Sequence, residues 1–145
     1  KKINIEKNLS FIYKSIKKYN PITIYYFATP KILFKSINDK KIIKQYEKFF
    51  ITIPTKIIKF SNRYNCKFFY PSTTYDNNLS PYSKIKFKAE DKIKKLKRNK
   101  TIINLLRISG INTKQNLSLI KKNLPNFRDL IAKDKKVFNK VFFKH

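Results

Sequence analysis

Three short runs of β-branched and aromatic residues constrain this 145-residue chain more than anything else in it. They are ITIYYFAT (22–29), CKFFYPS (66–72) and TIINLLRIS (101–109). None alternates polar with apolar residues, which is the pattern of strands covered on both faces. Between them the periodicity is helical. Residues 4–19 set Ile5, Leu9, Ile12 and Ile16 on one face. Residues 39–63 carry Ile43, Tyr46, Phe50, Ile57 and Ile58, and Pro54 predicts a kink or break inside that stretch. Ser80 stands where an N-cap belongs, with Pro81 at the first helical position. The helix it opens, 81–98, has Tyr82, Ile85, Ala89, Ile93 and Leu96 on one face. A polar loop, GINTKQN, and one or two short helices near 116–140 complete the chain.

Strands separated by helices pair in parallel through right-handed crossovers. The expected fold is therefore α/β: a partial doubly wound, Rossmann-like parallel sheet of about three strands, with flanking helices on both faces. It forms one domain over residues 1–145. The apolar runs are too short to span a bilayer, and no charged-apolar-small leader opens the chain, so a cytoplasmic location is expected. The chain begins without Met, as a processed chain or a piece of a longer protein does. The single Cys66 excludes an internal disulfide and a cysteine-rich zinc site; at a strand start it reads as core. His145 reads as a chain end. The acids show no metal-ligand spacing, and the adjacent Glu90 and Asp91 are expected on a solvated helix face.

The formal charge is +27, from 35 basic and 8 acidic residues. Only four of the basic residues are Arg. Lys, Ile and Asn have AT-rich codons, and Gly, present once, has GC-rich ones, so codon bias contributes to the basicity. Bias does not explain why acids are so few. A field of this sign attracts nucleic acid or anionic lipid.

The stretch PSTTYDNNLSPYSKIKFKAE (71–90) contains Tyr82-x-x-x-Lys86. With this many Tyr and Lys, about two such pairs arise by chance, and Tyr13-x-x-x-Lys17 is the other. Context separates them. Tyr13 lies inside a helix with no strand before it. Tyr82 opens a helix after a strand that ends in Ser72, Thr73 and Thr74, and ligands of parallel sheets sit beyond the carboxyl ends of strands. The spacing puts Tyr82 and Lys86 on one helix face. An ammonium beside a phenol favours the phenolate and lowers its pKa from about 10. A strand-end hydroxyl then holds a substrate oxygen while Tyr82 exchanges its proton.

On YYFATPKI (25–32), FFYPSTTY (68–75), SPYSKIKFKAED (80–91) and NLLRISGINT (104–113), the sequence resembles the extended short-chain dehydrogenase/reductases. These are the NAD-dependent sugar-nucleotide epimerases and dehydratases, and the wording is nearest a bacterial branch associated with surface-polysaccharide synthesis. The resemblance covers roughly residues 20–115. It implies catalytic roles for Thr73, with Ser72 as alternative, Tyr82 and Lys86. It also implies NAD or NADP as cofactor, held by Lys86 through the nicotinamide ribose, with Ala28, Thr29 and Pro30 against it and Arg107 bordering it. The implied partners are a sugar-nucleotide substrate and either a second copy of the chain, paired through the Tyr82–Lys86 helix, or the missing N-terminal segment. The pattern departs in places. The glycine-rich dinucleotide fingerprint is missing, the stretch from Thr73 to Tyr82 is short, and the position of an assisting Asn falls near Phe49. The chain thus corresponds to the catalytic half, without the glycine-rich N-terminal part.

The second reading is a basic RNA-associated structural protein, such as an organellar ribosomal component in an organelle matrix, with a vestigial site. Lys92, Lys94, Lys95, Lys97 and Arg98 either solvate a surface or contact phosphate.

Overall fold

A computed structural model describes residues 5, 8–21, 23–30, 39–74, 80–96 and 101–108, with isolated positions 126, 128, 129 and 132. Its elements are α1 (Leu9–Tyr19), β1 (Thr23–Tyr25), α2 (Lys40–Glu47), a π-helical turn (Lys48–Thr52), α3 (Ile53–Ser61), β2 (Lys67–Thr73), α4 (Pro81–Lys94) and β3 (Ile102–Ile108). The loop at 110–116 and the short helices expected near 116–140 lie outside the described residues, those isolated positions apart.

Local chemistry sets the ends of these helices. α1 stops at Asn20, whose φ of 42° is left-handed, a conformation Asn tolerates better than most residues. Asp39 caps α2, its carboxylate accepting from the N–H groups of Lys41 and Ile42 at 3.1 Å. Ser80 has the extended backbone of an N-cap but makes no side-chain cap bond; Pro81 begins α4 without needing a donor.

The break expected at Pro54 takes the form of the π-helical turn, with Ile53 N–H reaching Lys48 O. Pro54 has no N–H, so a carbonyl four or five residues before it loses its helical donor. Those carbonyls are Phe50 and Phe49. Each receives a tyrosine hydroxyl from the sheet layer: Tyr70 donates to Phe50 O at 3.0 Å and Tyr26 to Phe49 O at 2.6 Å.

The three strands are parallel, in the order β1-β2-β3. β2 is the centre, with Phe68, Phe69 and Tyr70 all fully buried. Phe68 and Tyr70 face the helix layer and join its core with Tyr46, Phe50, Ile57, Ile58 and Ile93. Phe69 alternates to the other face, where it meets the rings of Tyr25 and Phe27. α4 packs on β2 and against both α2 and the π-helical turn, and α1 packs on α3. Tyr13 of the second Tyr-x-x-x-Lys match is stacked on Phe60 at 4.3 Å within that α1–α3 contact.

The described helices therefore form one connected layer rather than covering both faces of the sheet. The sequential strand order is the cause. Two crossovers of one hand, stepping the same way across a sheet, put their helices on the same side. The first strand is also shorter than the sequence suggests. It ends at Tyr25; one further bond, Tyr26 N to Phe69 O at 3.0 Å, precedes its departure from the sheet.

Candidate active site at the carboxyl edge of the sheet

The carboxyl ends of the strands bring the expected site residues to one edge. Ala28, Thr29 and Pro30 follow β1, Ser72 and Thr73 end β2, Arg107 lies in β3 opposite Ser72, and Tyr82 and Lys86 occupy the first turns of α4. The order β1-β2-β3 contains no reversal, so the described strands make no switch-point crevice of the kind that binds dinucleotides.

Tyr82 lies edge-on to Phe50 and Tyr46, with ring centroids 5.5 and 6.2 Å apart. The Thr73 side chain lies beside it. Burial pushes the phenol pKa up, and the nearby Thr73 hydroxyl offsets this only in part. The pKa depression expected from Lys86 is thus reversed: in this arrangement Tyr82 is a protonated donor.

Burial of the phenol causes the rise, and Lys86 does not oppose it. Only 6% exposed, Lys86 points inward, its Nζ donating to Pro71 O at 2.7 Å and lying 4.3 Å from the Phe50 ring and 4.7 Å from the Tyr70 ring. Burial lowers its pKa from 10.5 to about 7, with the Glu90 charge pulling the other way. The sheet gives this contact its reason. Pro71 shares the strand parity of Phe69, so its carbonyl faces the side that β1 has left. Lys86 supplies the donor that a longer β1 would have supplied. Pro71 itself, lacking an N–H, forfeits nothing on that flank.

Glu90, expected on a solvated face, is instead 2% exposed. It lies one turn beyond Lys86 on the same side of α4. Arg107 grips it with two nitrogens: Nε at 2.9 Å from Oε1, Nη2 at 3.0 Å from Oε2. Lys94 adds a second cation at 3.6 Å. Burial pushes the Glu90 carboxyl up, but Arg107, Ser72 and Lys94 outweigh it and hold the pKa below the usual value. Ser72 is near enough to favour the carboxylate, yet its buried Oγ makes no hydrogen bond of good geometry. Arg107 also covers the Phe87 ring at 4.9 Å. Its expected place beside a cofactor is taken up by this clamp between β3 and α4. Glu90 was the residue the sequence reading missed. Its spacing of eight from Tyr82 and four from Lys86, on the apolar face, is the signal that places it inside.

Ala28 packs on the core, Pro30 is buried, and Thr29 Oγ1 bonds Pro30 O at 3.2 Å. Phe49 is in the π-helical turn, so no side chain that donates or accepts hydrogen bonds occupies the assisting-Asn position. Cys66 is buried at the foot of β2, as expected of a core residue. Among the described residues no His, Cys, Asp and Glu cluster is placed to hold a metal ion, and no helix is long and apolar enough to cross a membrane.

A dinucleotide needs a helix start with free N–H groups for its pyrophosphate. The first donors of α2 are taken by Asp39, and α4 opens on a proline. With Lys86 turned inward as well, the described residues do not form a dinucleotide cradle. What they can do is donate hydrogen bonds and a proton from Tyr82 and Thr73. No protein-family model matches the chain, and no curated protein matches it.

Proposed function

We propose that this chain carries the substrate side of a short-chain dehydrogenase-like active site acting on a sugar nucleotide. Tyr82 is its acid and Thr73 holds the substrate oxygen. The observation that supports this reading is the placing of the Thr73 hydroxyl beside Tyr82, the one ending the central parallel strand and the other opening α4. A phenol that keeps its proton at neutral pH can donate a hydrogen bond to an oxygen on which negative charge develops. Lys86 and the Glu90–Arg107 pair fix the α4 backbone from which Tyr82 projects. NAD or NADP, as the resemblance implies, would be held by residues other than the described ones, and no proton step depends on them.

The test is calorimetric titration of the full chain with a panel of nucleoside-diphosphate sugars and with NAD(P)(H). Binding of at least one nucleotide sugar is expected, weakened about tenfold by Tyr82→Phe, the worth of one hydrogen bond to a ligand. Circular dichroism would confirm that the variant stays folded. No binding by the parent chain, or equal binding by Tyr82→Phe, would falsify the reading.

A further inference from the structure

Helices α2 and α4 lie side by side, tied by Lys88 Nζ on Glu47 Oε1 at 2.6 Å. Their outward faces carry two rows of lysine. Lys40 and Lys44 of α2 and Lys48, which opens the π-helical turn, are exposed; on α4, Lys84, Lys88 and Lys92 repeat the same spacing. Residues four apart stand ~6 Å apart along a helix axis, and packed helices lie ~8–10 Å from each other. Of the acids on these helices, Glu47 is bound to Lys88 and Glu90 is buried on Arg107, which leaves Asp91 as the exposed one. Like charges at this spacing destabilise their own helix. A row of phosphates, spaced comparably along a strand, removes that repulsion and releases its own counterions.

The face also excludes other occupants. A second copy would set lysine against lysine. A membrane surface would hold this face by charge alone, because insertion needs an apolar helix face that sinks below the headgroups, and among the described residues the large exposed hydrophobic ones, Phe11, Tyr19, Tyr25, Phe27 and Ile102, all lie outside α2 and α4. None of them is on α2 or α4, so these two helices offer no stacking platform for bases, and Lys is a point charge rather than a bidentate reader. We propose that the α2–α4 face binds the phosphate backbone of nucleic acid without sequence preference. It is the outward side of the helix whose inward side carries Tyr82 and Lys86, so this binding is separate from the chemistry proposed above.

The experiment must separate this face from the basicity of the whole chain. One variant combines Lys44→Gln, Lys48→Gln, Lys84→Gln and Lys92→Gln. A control of equal net charge combines Lys14→Gln, Lys17→Gln, Lys56→Gln and Lys59→Gln, all exposed on α1 and α3. Fluorescence anisotropy with short duplexes of two unrelated sequences, over a salt series, gives affinity and salt slope. The parent is expected to bind both duplexes equally. The face variant is expected to lose about tenfold or more in affinity, its slope falling by about 0.9 for each contact removed, while the control changes little. Equal losses in both variants, no binding by the parent, or tighter binding to phosphatidylserine vesicles than to duplex would each overturn the proposal.

Discussion

Replacing Lys86 with Met isolates a titration that the fold has displaced. Met keeps most of the stem volume and removes the amine. In the folded chain the amine is 6% exposed, and burial brings its pKa down from 10.5 to about 7. In the unfolded chain it titrates near its ordinary value. Between those two values the unfolded state holds a proton that the folded state does not, so stability must rise with pH across that window. Below it both states are protonated and the contribution is flat. Each pKa unit corresponds to about 1.4 kcal/mol. Between about pH 7 and about pH 9 the wild type should gain roughly 2–3 kcal/mol over Lys86→Met. In a domain of this size that is about 5–10 °C in Tm. Thermal melts of both proteins across that range give the result, since titrations common to both cancel in the difference. A constant offset is expected as well, about 1–3 kcal/mol for the Pro71 carbonyl left without its donor. Parallel profiles, or a wild type that loses ground as pH rises, would show that Lys86 remains a charged, hydrated lysine and that the inward contact is wrong.

Arg107→Ala removes the grip on Glu90. The carboxylate's stabilising contribution exists above the unfolded pKa and is lost as pH falls through the depressed folded value. Without Arg107 the folded value rises, so acid unfolding should begin at higher pH, with about 1–3 kcal/mol lost at neutrality, a range discounted for the half-exposed guanidinium. A urea titration at several pH values would read both, and an unchanged acid limb would contradict the clamp. Ser72→Ala should cost less than about 1 kcal/mol in the same assay, because its buried Oγ makes no hydrogen bond of good geometry, and should move the acid limb slightly to higher pH, because the hydroxyl favours the Glu90 carboxylate; a larger loss would mean that the hydroxyl has a full partner.

The parts of the fold legible in the sequence were those written in local periodicity. β2 and β3 lie within a residue of the expected runs, and Leu9, Ile12 and Ile16 do turn one face of α1 to the core, although that helix begins at Leu9 and Ile5 packs on the core from ahead of it. Pro54 announced a break because the missing N–H is a property of one residue. That the break becomes a π-helical turn was not legible, because it depends on Tyr26 and Tyr70, distant in sequence, supplying the two hydroxyls. β1 ends early for a similar reason. Nothing in ITIYYFAT marks Tyr25 as its last residue, and the substitute for its next hydrogen bond is a lysine from another element. Tyr82 and Lys86 were correctly placed on one helix end, but their direction was not. Helical spacing sets the face of a side chain; the ring of Phe50 and the carbonyl of Pro71 decide which way Lys86 turns.

The Lys86–Pro71 contact also bears on how this molecule meets others. A strand flank abandoned by its neighbour is a template on which a foreign peptide can zip. At Pro71 the β1 side of β2 offers no such template. Pro71 presents no donor there, and its one acceptor is already held by Lys86. The deeply buried amine therefore acts as a stopper on the central strand, and Lys86→Met should be judged by its tendency to aggregate as much as by its melting point.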